Sequence, residues 1–198
     1  MVTKWEGKKV QVIGVMGVQK GIGTTHSSLL TAAYYRKRGY QVALIEWGEQ
    51  EAFTRIKTMY EGGGQIKNEE GFIIKRIHHY PKFQEQHLNR IRKEGFHVIV
   101  IDFGCYQEAL INYYNDLDMQ LLIGQGIDWK VHEIDRILSN VSPQLCADWK
   151  ILLPFGDEDE VYDVKKLSNL KTYYLPFHKN PYQLSKEVYT QLDYIVRN

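Results

Sequence analysis

The segment Gly17-Val18-Gln19-Lys20-Gly21-Ile22-Gly23-Thr24-Thr25-His26 lies between a β-branched apolar run at residues 10–16 and a stretch at 24–38 whose apolar residues recur at helical spacing. That order reads as strand, loop, helix. Glycines at such a junction let backbone N–H groups turn inward, and the start of the helix adds unsatisfied donors and the positive end of its dipole. Together these favour a phosphate. The complete phosphate-binding loop, G-x-x-x-x-G-K-[ST], also carries a lysine for the terminal phosphates and a hydroxyl for magnesium. Gly23 and Thr25 fit that pattern, whereas Thr24 stands at the lysine and Val18 at the first glycine. The same residues also fit a tight turn built by Gly21 and Gly23, with Thr24 or Thr25 capping the helix. From the loop alone both readings stay open.

Other chemistry-bearing residues are weaker candidates. His26 would donate to a phosphate if charged, but a local contact is the preferred reading. His78-His79 precedes Tyr80-Pro81 at the junction of a strand and a loop, with no cysteine or second histidine at ligand spacing, which argues against a metal. Asp102-Phe103-Gly104 matches a kinase triplet, yet no H-R-D-x-x-x-x-N loop precedes it, and a protein kinase is discarded. Arg36-Lys37-Arg38 suits a helix C-terminus and Asp157-Glu158-Asp159-Glu160 a helix N-terminus, each complementing the dipole. Tyrosines in pairs, such as Tyr113-Tyr114 and Tyr173-Tyr174, would turn one ring outward towards a protein interface.

The elements that must position these residues follow from periodicity. Short apolar runs at 42–45, 96–101, 119–123, 149–153 and 173–175 read as buried parallel strands, and the segments between them at 51–60, 82–93, 129–140, 158–167 and 181–196 as helices. A short strand is expected at 72–77, and Gly62-Gly63-Gly64 as a hinge. In the last helix Val188, Leu192, Ile195 and Val196 share one face, which suits packing on the sheet better than a membrane surface. The expected fold is therefore α/β, three layers with a mainly parallel sheet, as one domain over residues 1–198.

Composition limits the function classes. The chain has 198 residues, 43% hydrophobic and 25% charged, ordinary values for a soluble globular protein. With 25 Lys plus Arg against 24 Asp plus Glu it carries no electrostatic footprint for duplex DNA or anionic lipid. Cys105 and Cys146 are far apart and lack metal-ligand spacing, which suits a reducing, cytoplasmic compartment. The first apolar run is short and broken by Gly14 and Gly17, so neither a signal peptide nor a membrane span is expected.

Taken together, these segments resemble the ParA/MinD family of deviant phosphate-loop ATPases over nearly the whole chain. The family loop runs K-G-G-x-G-K-[ST]; here Gly21-x-Gly23-x-Thr25 aligns with it. Arg38-Gly39-Tyr40-Gln41-Val42-Ala43-Leu44-Ile45-Glu46 is similar to the family's R-G-x-x-V-x-x-I-D turn and second strand. Phe96-His97-Val98-Ile99-Val100-Ile101-Asp102 is similar to its Y-D-x-I-I-I-D strand, and Asp118-Met119-Gln120-Leu121-Leu122-Ile123 to its A-D-x-x-L-x-V strand. The departures are equally specific. The lysine that reaches a partner's nucleotide aligns with Gln19, and Lys20 comes one residue late. The phosphate-contacting lysine is Thr24, and Glu46-Trp47-Gly48-Glu49-Gln50 has lost the second aspartate of D-x-D-x-Q. The asparagine that reads adenine is not evident in Leu152-Leu153-Pro154-Phe155. Asp128-Trp129-Lys130, with the loop and Asp102-Phe103-Gly104, marks a divergent branch.

The resemblance implies that Gly17, Lys20, Gly21, Ile22, Gly23, Thr24, Thr25 and His26 surround the phosphates of ATP, and that Thr25 and Asp102 hold Mg2+. It also implies a protein partner and a possible homodimer. Two functions fit: a weak magnesium-nucleotide switch with little hydrolysis that positions or assembles a partner apparatus, and a nucleotide-free pseudo-ATPase scaffold.

Overall fold

A computed structural model describes residues 9–48, 50–61, 71–83, 85–127 and 129–198. The glycine triplet at 62–64, Glu49 and Asp128 lie outside the described residues. Eight strands form one sheet: β1 (Gln11–Gly17), β2 (Val42–Trp47), β3 (Phe72–Ile74), β4 (Ile77–Phe83), β5 (Val98–Cys105), β6 (Met119–Ile123), β7 (Lys150–Pro154) and β8 (Lys171–Leu175). Their order is β3-β4-β2-β5-β1-β6-β7-β8, parallel throughout except for the β3–β4 pair. The helices are α1 (Thr24–Lys37), α2 (Ala52–Glu61), α3 (Glu85–Arg92), α4 (Ile111–Asn115), α5 (Val131–Ser139), α6 (Pro143–Cys146), α7 (Glu158–Ser168) and α8 (Lys186–Arg197). Consecutive residues of β1, β2, β5 and β7 are buried, so both faces of the sheet are covered, the state that parallel strands require.

The central strands make this core because Val12, Ile13, Val15, Leu44, Ile45, Val98, Ile99, Val100 and Ile101 are all within 1% of complete burial. Gly14 interrupts the aliphatic run of β1 for a packing reason: a Cβ there would come within 2.7 Å of Tyr114 and Leu117. A glycine inside a strand costs about 1 kcal/mol. The space left by the missing side chain is filled by Tyr114, which is fully buried. Its ring lies edge-on to Phe103 and Trp149.

Helix α1 ends where Gly39-Tyr40 suggests. Gly39 is left-handed at φ 89° and donates to the Arg36 carbonyl at 3.0 Å, while Tyr40 N–H reaches the Tyr35 carbonyl at 3.2 Å. That is a Schellman termination, completed by contact between the Tyr35 and Tyr40 rings. The basic residues behind it are used locally, Lys37 over the Tyr189 ring and Arg38 against Tyr34 and Asp193. Asp157 caps α7 by accepting from Glu160 N–H at 2.9 Å. Helix α8 buries Val188, Leu192 and Ile195.

Two expectations need correction. His78-His79-Tyr80-Pro81 lie within a parallel strand, β4, rather than a loop; Pro81 is accommodated where the β2–β4 register shifts between Ile45 and Trp47. His79 is a core residue, its Nδ1 beside the Ile77 carbonyl, its Nε2 3.0 Å from the Tyr182 hydroxyl and its ring stacked on Phe72. In each tyrosine pair one ring is buried, Tyr114 and Tyr173, and its neighbour is part-exposed: Tyr113 packs on Trp47 and Phe103, and Tyr174 lines a surface groove with Gln191. The last helix begins at Lys186, capped by the Ser185 hydroxyl, rather than at 181.

Candidate functional site

β5 lies between β2 and β1, so the C-terminal ends of all three parallel strands open at one edge, the usual place for a ligand in such a sheet. The loop after β1 is fixed there from both sides. Val18 N–H donates to the Ile123 carbonyl of β6 at 2.9 Å, and Tyr106 N–H to the Gly17 carbonyl at 2.7 Å. Gly21 and Gly23 are left-handed, at φ 75° and 99°. Gly17 is required by a close approach: a Cβ would lie 2.1 Å from the Thr24 hydroxyl and 2.7 Å from Ile22. Ile22 is buried and anchors the loop from beneath, whereas Lys20 and Gly21 are exposed.

The N-cap of α1 is Gly23, and among the described residues no side chain caps this end. Thr24 and Thr25 are the first residues of the helix itself, which corrects the capping alternative. Its orphan N–H donors are therefore left to a ligand or to water. Thr24 is buried, with its hydroxyl folded towards Gly17 beneath the loop. The structure brings Lys20, Gly21, Gly23, Thr24, Thr25 and His26 into one open cleft of about 750 Å3. Gly17 and Ile22 support it without being part of its lining.

Asp102 lies below that cleft on β5, opposite Val15 of β1 and Glu46 of β2. It is fully buried. One carboxylate oxygen accepts Gly104 N–H at 2.9 Å, but Oδ2 has no hydrogen-bond partner among the described residues. Burial pushes this carboxyl up to about 6, opposed by the neighbouring Thr25 hydroxyl and Gly104 N–H. An unpartnered oxygen on a buried carboxylate is costly unless a cation or water completes it. Together with the Thr25 hydroxyl it presents hard oxygen donors of the kind magnesium takes, so the residues fit that ion.

A second carboxylate was legible only as a motif position. Glu46 Oε1 accepts the N–H groups of Ala52 at 2.7 Å and Phe53 at 3.1 Å, fastening the start of α2 to the end of β2. Its other oxygen is unpartnered among the described residues, and burial raises its pKa to about 7, with Asp102 adding to the rise. Gln50 lies across Gly104, whose left-handed backbone leaves the space a Cβ would fill, and its amide donates to the Trp47 carbonyl at 3.0 Å and the Asp102 carbonyl at 3.4 Å. Burial lowers the His26 pKa, with His178 nearby, and its Nε2 is buried without a partner. It is therefore a neutral wall residue at pH 7.

The cleft also contains Arg55, from the exposed side of α2. No spacing rule joins Arg55 to the loop: it lies outside the loop pattern, and only the path of α2 brings it there.

No family model matches the sequence, and no curated protein does. Solved structures do match in fold. The MinD cell division protein of Aquifex aeolicus superimposes with a TM-score of 0.68 at 13% identity, covering 96% of this chain and 98% of that one. A putative plasmid partition protein from Borrelia burgdorferi B31, bound to AMPPNP, gives 0.68 at 14% identity over 96% and 98%. A ParA family ATPase from Chlorobium tepidum gives 0.63 at 11% identity over 96% and 100%. The eight-stranded, mostly parallel sheet and its helices thus have the fold of the MinD/ParA phosphate-loop ATPases.

Proposed function

We propose that this chain is a divergent MinD/ParA-like nucleotide switch, a single unit over its whole length, that binds a magnesium nucleotide weakly and hydrolyses it little. The observation that carries this reading is the pairing of an uncapped helix start behind two left-handed glycines with the unpartnered Oδ2 of Asp102 at the same sheet edge. Backbone N–H groups from Lys20 to Thr25 would hold phosphates. Thr25 and Asp102 would hold magnesium, which supplies charge neutralisation between phosphate oxygens. ATP is the expected nucleotide. Thr24, short and folded beneath the loop, leaves the affinity low.

A switch of this kind acts by changing a protein partner, and we assign the chain to positioning or assembling a larger apparatus, with a homodimer as one form. The related structure titled as a MinC:MinD cell division protein complex, from Aquifex aeolicus, is one such pairing in the same fold. The alternative is a nucleotide-free scaffold. It is favoured by Phe155 and Phe177, both exposed, with ring centroids 5.4 Å apart beside Pro154, whose ring a Cβ placed on Gly23 would touch at 3.6 Å. Calorimetric titration with Mg-ATP, Mg-GTP and ADP decides between them: saturable heat with Mg-ATP supports the switch, and none with any nucleotide leaves the scaffold.

A further inference from the structure

We propose that Arg55 is the side chain that contacts the terminal phosphate, supplying from α2 the charge that Thr24 cannot supply from the loop. The inference rests on the switch reading above and adds to it a residue that discriminates nucleoside triphosphate from diphosphate.

Among the described residues lining the cleft, only Lys20 and Arg55 carry fixed positive charge, and no carboxylate lines it. They approach from different elements. Lys20 belongs to the loop after β1, and Arg55 to the helix after β2, with the Phe103–Cys105 end of β5 between those strands. A polyphosphate resting on the loop amides has its first charges met by backbone donors and Lys20. At the far end, where a lysine normally reaches from the first turn of α1, this helix offers no charged side chain, since Thr24 stands there with its hydroxyl folded towards Gly17.

The route that brings Arg55 to the cleft is tightly built. Glu46 binds the N–H groups of Ala52 and Phe53, Phe53 is fully buried, and Gln50 fastens the preceding residues over Gly104. Those clamps fix the buried side of α2 and turn Arg55 to the open side, where its side chain is 78% exposed. Among the described residues its ion pair is with Glu51 at 3.4 Å, between exposed groups one helical turn apart, a type that holds a guanidinium weakly. A phosphate offers more: the guanidinium fork can donate two parallel hydrogen bonds to it, which neither Glu51 in this geometry nor an ammonium reproduces.

The test is calorimetry on the full chain with Mg-ATP and Mg-ADP, for the wild type, Arg55→Ala, Arg55→Lys and the double variant Arg55→Ala with Thr24→Lys. The expected result is a wild-type preference for Mg-ATP that Arg55→Ala removes through an affinity loss of about 10- to 100-fold, the range for one charge-assisted contact. Mg-ADP should change by less than about 3-fold. Arg55→Lys should recover part of the preference and the double variant most of it. Because Arg55 is exposed, thermal melting without nucleotide should be unchanged, which separates a binding role from a structural one. If the wild type binds Mg-ATP and Arg55→Ala leaves affinity and preference intact, this inference is overturned while the switch reading stands. Absence of any wild-type binding overturns the switch reading, and this inference with it.

Discussion

Two glycines of the loop separate space from conformation. At Gly17 the backbone is ordinary but a methyl group would press on Thr24 and the buried Ile22; at Gly21 nothing lies within 4 Å but φ is 75°. Gly17→Ala should therefore cost about 1–3 kcal/mol as overpacking, and Gly21→Ala about 1–2 kcal/mol as left-handed strain. Urea unfolding of both variants checks the order, and a larger loss at Gly21 would mean that the loop contacts are misjudged. The buried carboxylates give a pH signature. Asp102 at about 6 and Glu46 at about 7 both bind their protons more tightly in the folded protein than in the unfolded chain. Their ionisation then costs stability as pH rises from about 4 through about 7, and the cost is absent below that window. Asp102→Asn should flatten the lower part of this slope and, at pH 7, raise stability by up to roughly 2 kcal/mol. The same variant should lose the magnesium dependence of nucleotide binding. A charge that destabilises the free protein but is needed to hold a cation is expected at a binding site, not in a structural core.

Helix α2 ties the two strand ends to the cleft, and its attachment can be tested separately from its chemistry. Glu46→Gln keeps an acceptor oxygen for the Ala52 and Phe53 amides, whereas Glu46→Ala removes it. Loss of a capping acceptor costs about 0.5–2 kcal/mol. Amide exchange at 52 and 53 should accelerate in the alanine variant and stay slow in the glutamine variant; equal rates would show that the Phe53 side chain alone positions the helix. What could be read in advance divides along the same physical line. β1, β2 and β5 were legible because strands buried on both faces leave continuous apolar runs, and Gly39-Tyr40 because a Schellman end needs a glycine in place. β4 was hidden by His78, His79 and Pro81, residues that lower strand expectation. The partners that make His79 acceptable, Phe72 and Tyr182, are supplied only by tertiary packing. The loop and Asp102 could be found as patterns local in sequence, whereas Arg55 owes its place to Glu46 and Gln50, contacts that no spacing encodes.

At the scale of the whole molecule, the sheet order places the loop after β1, the end of β5 and the start of α2 at one edge, so a nucleotide held there would meet the same few charges for binding and for any turnover. Phosphoryl transfer is accelerated mainly by positioned positive charge and an oriented nucleophile, and loss of one finger-type cation lowers the rate by about 10³-fold or more. Gln19 and Thr24 stand where the resemblance places lysines, and Gly48 where it places the second aspartate. Lys20 and Arg55 remain among the described residues of the cleft, both exposed and neither held in a water-excluded geometry. The isolated protein is therefore expected to bind ATP far better than it turns it over. A phosphate-release assay on purified wild type, with Asp102→Ala as the control for contaminating ATPase, measures this directly. Turnover no greater than that control fits a switch, whereas rapid turnover abolished by the substitution would make the chain a competent ATPase and show that its two remaining cations are fully organised in the complex. Thr24→Lys extends the comparison: it should strengthen Mg-ATP binding if the loop cradles phosphate, and change nothing if the fold serves only as a scaffold.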